Sequence, residues 1–175
     1  MPPVEPIKDP QTVDADGRSI APRIHGVEIS YLHPHEDERG ELCEVWTATR
    51  DPLGIPVVHV YMVAIRPGSI RGWQMHTLQH DRIFIQWGRM RIGMYDARPD
   101  SPTCGMLNVM TFSHHNRALL VVPPGVWHGI QNVGEHEAVF LNLPTRAYNY
   151  EDPDKFRLPI KNDLIPFAFE DRRGW

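Results

Sequence analysis

The sequence predicts an all-β chain built as a sandwich or a barrel, on three observations. Short β-rich runs recur along its length, turn residues separate them at regular intervals, and convincing helix is scarce. The runs are residues 57–66 (VVHVYMVAIR), 81–87 (DRIFIQW), 89–96 (RMRIGMYD), 106–112 (MLNVMTF), 119–122 and 138–143 (AVFLNL). Pro67-Gly68, Gly88, Asp100-Ser101-Pro102, His114-His115-Asn116 and a loop at 132–136 punctuate them, all with residues that favour turns. A single helical turn is expected at 153–157. The tail 164–175 (LIPFAFEDRRGW) carries apolar residues expected to pack on the outside of the domain.

At 175 residues the chain is one domain with room for a proper core, and 41% hydrophobic and 23% charged residues are ordinary for a soluble globular protein. Residues 1–22, rich in proline and polar residues and without periodicity, read as a mobile arm or a strap along a partner subunit, and 23–175 as the folded unit. A net charge of -4 with no basic face argues against a nucleic-acid partner. Two cysteines, Cys43 and Cys104, make neither a disulfide framework nor a cysteine zinc site. The N-terminus lacks the pattern of a secretory signal, and no apolar stretch approaches the roughly 18 residues of a membrane span. A cytoplasmic protein without a membrane partner is expected.

Two stretches carry the chemistry: residues 70–86 (IRGWQMHTLQHDRIFIQ) and 121–132 (VVPPGVWHGIQN). Gln74 and His76 are two apart, so on a strand they share a face, and the Pro-Pro-Gly turn aims His128 back into the same interior. Gly68, Gln74, His76, Asp81 and Gly88, followed by Pro123, Gly125, His128 and Asn132, reproduce the spacing of a cupin metal site, that is, of a double-stranded β-helix or jelly-roll barrel. Glutamine stands for one histidine of that pattern and aspartate for its glutamate. If a metal binds, Gln74, His76, Asp81 and His128 are its ligands, holding it less tightly than three imidazoles would. The competing reading is that the spacing reports barrel geometry alone.

The same residues suit acid–base chemistry. A sugar with a ketone at C4 has acidified hydrogens at C3 and C5. Epimerising there takes a base on one face, an acid on the other and a donor or cation for the enolate oxygen. Either His76 or His128 is a candidate base, Arg71 or Arg82 the positive partner, and a tyrosine the acid.

An ordered set of motifs resembles the dTDP-4-dehydrorhamnose 3,5-epimerase family, sugar-nucleotide cupins that work without metal. The set comprises Asp37-x-Arg39-Gly40-x-Leu42-x-Glu44, Arg71-Gly72, Asp96-x-Arg98-x-x-Ser101-Pro102-Thr103-x-Gly105, Pro123-Pro124-Gly125-x-x-His128-Gly129 and Lys161-Asn162-Asp163 before Pro166. The resemblance implies a cupin jelly-roll homodimer with exchanged N-terminal strands. This would account for Glu44 lying on the face of Leu42 and Trp46, where an edge-strand charge is the alternative. It implies a small-molecule nucleotide sugar as substrate and no cofactor. By position, Arg39 and Glu44 would reach the sugar nucleotide bound mainly by the partner, and Arg71 the diphosphate. Arg82 stands in the place of a lysine near the reacting sugar. His128 lines the sugar pocket, and Asp163 takes the place of the aspartate that pairs with the catalytic histidine.

The chain departs from the family at two catalytic positions. The family's Arg-Gly-Leu-His-aromatic-Gln is Arg71-Gly72-Trp73-Gln74-Met75-His76 here, moving the imidazole roughly 6–7 Å along the strand. The family's acid, in Phe-Leu-Tyr, is replaced in Phe140-Leu141-Asn142. Asn142 can bond a sugar oxygen but cannot protonate a carbanion, leaving Tyr148 or Tyr61 to substitute. The expectation is an isomerase of this group with His76 as displaced base, Asp163 as its orienter, and Arg82 or His128 as enolate stabiliser. Gln74, Asn142 and Tyr148 would join Arg39, Glu44 and Arg71 in binding substrate. A binding protein that has lost catalysis and a metal-dependent cupin enzyme are the alternatives. His114-His115 reads as a solvated turn, and Trp73 and Trp127 as stacking or packing residues.

Overall fold

The structure, a computed structural model, describes residues 8–17 and 19–169. Among these there is no helix: twelve strands account for the regular structure. They are β1 (Glu28–Tyr31), β2 (His35–Asp37), β3 (Gly40–Leu42), β4 (Tyr61–Ile65), β5 (Ile70–Met75), β6 (Asp81–Trp87), β7 (Arg89–Asp96), β8 (Leu107–Ser113), β9 (Ala118–Val122), β10 (Val126–Asn132), β11 (Ala138–Asn142) and β12 (Phe156–Arg157). One five-stranded sheet runs β1-β9-β6-β11-β4 and the other β12-β5-β10-β7-β8, with β2 and β3 as a separate hairpin. All pairs are antiparallel, and from β4 onward the chain alternates between the two sheets except at the β7–β8 hairpin, a jelly-roll arrangement. No described helix is long and apolar enough to cross a membrane.

The alternation along each strand sorts side chains into three apolar layers. Ile83, Ile85, Leu120 and Phe140 of the first sheet meet Met90, Ile92, Met94 and Ile130 of the second in the main core. Each such fully buried side chain contributes about 1.5–3 kcal/mol. Outside the second sheet, Ile165 and Phe169 of the C-terminal tail pack on the buried Trp73 and on Trp127. Outside the first sheet, Phe84, Leu119 and Leu143 are covered by Leu32, Val45, Trp46 and Val57.

Two differences from the sequence expectation concern local elements. The helical turn expected at 153–157 does not form. Phe156 and Arg157 pair instead with Met75 and Gln74 as an edge strand, since one turn of helix is costly to nucleate while a ready β5 edge lies alongside. His114 is half-buried rather than solvated, stacked on Trp87 with ring centroids 4.2 Å apart. Of the N-terminal arm, residues 1–7 and 18 lie outside the described residues. The rest runs along the surface to Ile24, whose buried amide donates to Asn108 Oδ1 at 2.9 Å.

Candidate active site

The two sequence stretches meet at one end of the barrel. In β5 and β10, Gln74 lies opposite His128 and Arg71 opposite Ile130, with an irregularity between the two pairs. Strict alternation would turn residues three apart to opposite faces. The extra residue restores Arg71 to the face of Gln74. Gly72 makes this possible. A Cβ there would stand 2.5 Å from the Gly129 Cα, and its φ of +154° favours glycine. Beyond β5 the His76 carbonyl accepts from the Gly125 amide at 2.7 Å, so the Pro-Gly turn is tied to the residue after the strand. Asn132 closes the second stretch as a structural clamp. Its side-chain amide donates to the Ile65 and His136 carbonyls, both at 2.7 Å.

His76, Asp81 and His128 converge in the interior, all of them buried. Asp81 Oδ2 lies 3.4 Å from His76 Nε2 and 3.3 Å from His128 Nε2, while its Oδ1 accepts from Gln79 Nε2 at 2.9 Å. The Nδ1 of His76 faces the Asp154 carbonyl and that of His128 the Val126 carbonyl. Carbonyls only accept, so each ring carries a proton on Nδ1. The Gln74 side-chain nitrogen stands 3.0 Å from His128 Nε2. Burial pushes the Asp81 carboxyl up, but His128 and His76 outweigh it and hold the group well below the usual carboxylate range. For His76, burial lowers the pKa and the neighbouring Asp81 more than reverses this, so it gains a proton more readily than usual.

In front of this cluster opens a cleft of about 920 Å³, lined among others by Tyr61, Arg66, Arg71, Gln74, Lys155 and Arg157. A smaller recess of about 220 Å³ shares Tyr61 and Lys155 with it and adds His59, Gln79 and Tyr148. Tyr61 and Asn142 are cross-strand partners, and the Asn142 amide donates to the Tyr61 hydroxyl at 2.7 Å. Burial first, and then the charge of Asp81, push the Tyr61 phenol up to about 12, so it stays protonated. Lys155 moves the other way. Burial, with Arg157 and Arg71 nearby, lowers its ammonium below the ordinary lysine range, against the opposing pull of Asp81. Among the described residues, Arg66, Arg71 and Arg157 have no carboxylate partner.

Gln74, His76, Asp81 and His128 thus come together as the spacing suggests; Arg71 lines the cleft, Asn142 meets it through Tyr61, and Tyr148 stands at the neighbouring recess. Two expectations need correction, on Arg82 and Asp163, while the reach of Arg39 and Glu44 into a partner's site is not a property of one chain's cleft. Arg82 cannot stabilise an enolate in the barrel. It follows Asp81 on β6, points out of the opposite face, and is fully buried there against Asp51 (Nε–Oδ1 2.9 Å, an NH group–Oδ2 2.8 Å) and the Ile55 carbonyl. Asp163 is exposed in the tail, and the carboxylate beside His76 is that of Asp81. Arg39 and Glu44 do not enter this cleft. Arg39 pairs with Asp37 on the exposed β2–β3 hairpin, and Glu44 with Arg50 beyond β3. Trp73, fully buried against Phe167 and Phe169, is a packing residue. Lys155 and the Asp51 partner of Arg82 carry no sequence signal, since each acquires its role only through contacts distant in the chain.

The conserved-sequence profile of the dTDP-4-dehydrorhamnose 3,5-epimerase family matches residues 21–163. The chain belongs to this family. Family membership makes it a sugar-nucleotide epimerase by type. It is 37% identical over 139 residues to the probable low-salt glycan biosynthesis epimerase Agl13 of Haloferax volcanii, covering 79% of this chain and 89% of that one. It is 32% identical over 147 residues to the spore coat polysaccharide biosynthesis protein SpsL of Bacillus subtilis, covering 82% and 95%. Among solved structures, the dTDP sugar isomerase of Desulfovibrio desulfuricans superposes with a TM-score of 0.77 at 25% identity, over 83% of this chain and 92% of that one. The 3'-monoepimerase ChmJ of Streptomyces bikiniensis, in complex with dTDP-quinovose, shares the fold. Its TM-score is 0.73 at 20% identity, over 85% and 77% of the two chains.

Proposed function

We propose that this epimerase acts on a dTDP-linked 4-keto-6-deoxyhexose, exchanging a proton at carbon next to the ketone, within dTDP-rhamnose or related deoxysugar synthesis. One observation carries the reading: a single cleft combines unpaired guanidinium groups with a proton-carrying floor backed by a buried His–Asp–His cluster. Arg66, Arg71 and Arg157 suit a diphosphate, which guanidinium binds in bidentate fashion. Tyr61 and Lys155 are the proton carriers. The Lys155 amine, more easily deprotonated than an ordinary lysine, abstracts the proton, and the protonated Tyr61 returns one from the other side. Tyr61 therefore supplies, from the strand beside Asn142, the phenol that the family carries at the Asn142 position.

His76 fits the role of base poorly. Its Nδ1 is committed to a backbone carbonyl, its Nε2 faces Asp81, and it is buried behind the cleft. In our reading His76, Asp81 and His128 instead gather positive charge behind Gln74, which faces the ketone oxygen and passes that stabilisation to the enolate. We also propose a homodimer, working in the cytoplasm. β4 is an open sheet edge whose Met62 is exposed, preceded by exposed Val58 and Val60, and the hairpin carrying Arg39 is a separate two-stranded sheet tied to the barrel by Glu41 and Arg117. An exchanged strand from a second copy would cover that edge.

The test is deuterium wash-in: dTDP-4-keto-6-deoxyglucose is incubated with the protein in D2O and followed by proton NMR. Label at C3 or C5 that depends on Tyr61 and Lys155 is the expected outcome. Tight binding with no label would make the chain a sugar-nucleotide-binding protein.

A further inference from the structure

We propose that His76 Nε2, Asp81 Oδ2 and His128 Nε2 are the ligands of one divalent transition-metal ion, with Gln74 at the fourth position. This deepens the reading above by naming the cation behind Gln74, but it stands on its own geometry.

The three atoms lie within 4.8 Å of one another, and the carboxylate oxygen is 3.4 and 3.3 Å from the two ring nitrogens. A charged hydrogen bond between such groups is about 2.7–2.9 Å long. Nitrogen and oxygen ligands about 2.1 Å from a shared metal stand roughly 3.0–3.4 Å apart at octahedral or tetrahedral angles. The observed separations therefore suit edges of a coordination polyhedron better than hydrogen bonds.

The polarity of the groups points the same way. With both Nδ1 atoms donating to the Asp154 and Val126 carbonyls, it is the Nε2 atom of each ring, the metal-ligating nitrogen of that tautomer, that points inward toward a carboxylate offering only lone pairs. His76 Nε2 and Asp81 Oδ2 are buried without a hydrogen-bond partner, the Asp81 side chain being 1% exposed. Converging electron pairs shut away from water are costly unless a cation lies between them. The carbonyls that set both ring tautomers, and Gln79 on the second Asp81 oxygen, are the outer contacts expected around a metal. Gln74 can turn its amide oxygen toward the same centre. Two imidazoles with carboxylate and amide oxygens suit zinc, iron, manganese or cobalt rather than calcium.

Full-length protein is stripped with a chelator and titrated with Co2+ alone, without sugar nucleotide, while visible d–d absorption is followed. One equivalent per chain is expected, with absorption lost in His76→Ala and Asp81→Asn and kept in Asp96→Asn, a variant outside the cluster. No stoichiometric uptake by the wild-type protein would overturn the proposal and leave protons as the only cations in the cluster. Uptake undiminished in both site variants would overturn it by placing the ion elsewhere. If a site variant fails to fold, nitrogen-15 shifts of the wild-type histidines under Zn2+ decide. Movement of Nε2 in two rings supports the site, and movement in none refutes it. Since no substrate is present, failure here is distinguishable from failure of deuterium wash-in.

Discussion

Two buried aspartates, Asp81 and Asp96, sit in barrel strands, and their surroundings differ in kind. Asp96 closes β7 with both oxygens satisfied. Arg98 Nε and NH2 donate at 2.8 and 2.9 Å, and the hydroxyls of Ser101 and Thr103 donate at 2.6 Å each. Asp81 opens β6 with one oxygen on Gln79 and the other facing two ring nitrogens at 3.3 and 3.4 Å, farther than a charged hydrogen bond. The first arrangement is complete, and it builds a loop. The second is incomplete within the protein, and it faces a cleft. Unresolved polarity of this sort, in an otherwise well-packed interior, is what a site for chemistry looks like.

The comparison can be broken or sharpened by substitution, beginning with the largest effect. Tyr61→Phe should lower the deuterium-exchange rate about 100- to 10,000-fold, the usual worth of a general acid. Its unfolding free energy should change by only about 1 kcal/mol. A variant exchanging at the wild-type rate would remove Tyr61 from the reaction. Arg82→Met leaves Asp51 buried and unpaired, a loss of about 3–5 kcal/mol in denaturant unfolding. The exchange rate per folded molecule should hold, and a fall in it would return Arg82 to the site. Gly72→Ala forces a methyl group against the Gly129 backbone at 2.5 Å. About 1–3 kcal/mol of stability should go, together with sugar-nucleotide affinity measured by calorimetry, because the bend that aims Arg71 is disturbed.

The smallest effect is one of pH. Burial pushes the Asp96 carboxyl up, but Arg98 and the two hydroxyls more than reverse it and hold the group below the ordinary range. A lowered carboxylate pKa contributes stability that is complete above about pH 4 and is lost as pH falls through the folded value. Acid titration of unfolding should thus be flatter below about pH 4 in Asp96→Asn than in the wild-type protein.

Much of this was legible in the sequence, for identifiable reasons. β6 and β7 carry the bounds expected from 81–87 and 89–96, because β-rich runs with Gly88 between them leave little freedom. Gln74, His76, Asp81 and His128 were legible as one group, since strand periodicity and a Pro-Gly turn are local facts. Arg82 shows the limit of reasoning by family position. Its adjacency to Asp81 already argues that both cannot face inward. The irregularity that turns Arg71 inward depends on contact with Gly129, and β12 exists only as a partner of β5, so neither has a local signature. Lys155 reaches the cleft through that same pairing, about 80 residues from Gln74 in sequence.

The most direct test of the account is to measure Asp81→Asn and Asp96→Asn side by side, by exchange rate and by thermal unfolding. The account predicts that Asp81→Asn loses deuterium exchange more than about 100-fold while its Tm stays within about 4 °C of wild type, roughly 1 kcal/mol. Asp96→Asn should keep exchange and lose about 6 °C or more. The reverse pattern, with Asp81→Asn unfolding early and still exchanging, would contradict the assignment of Asp81 to function and Asp96 to structure.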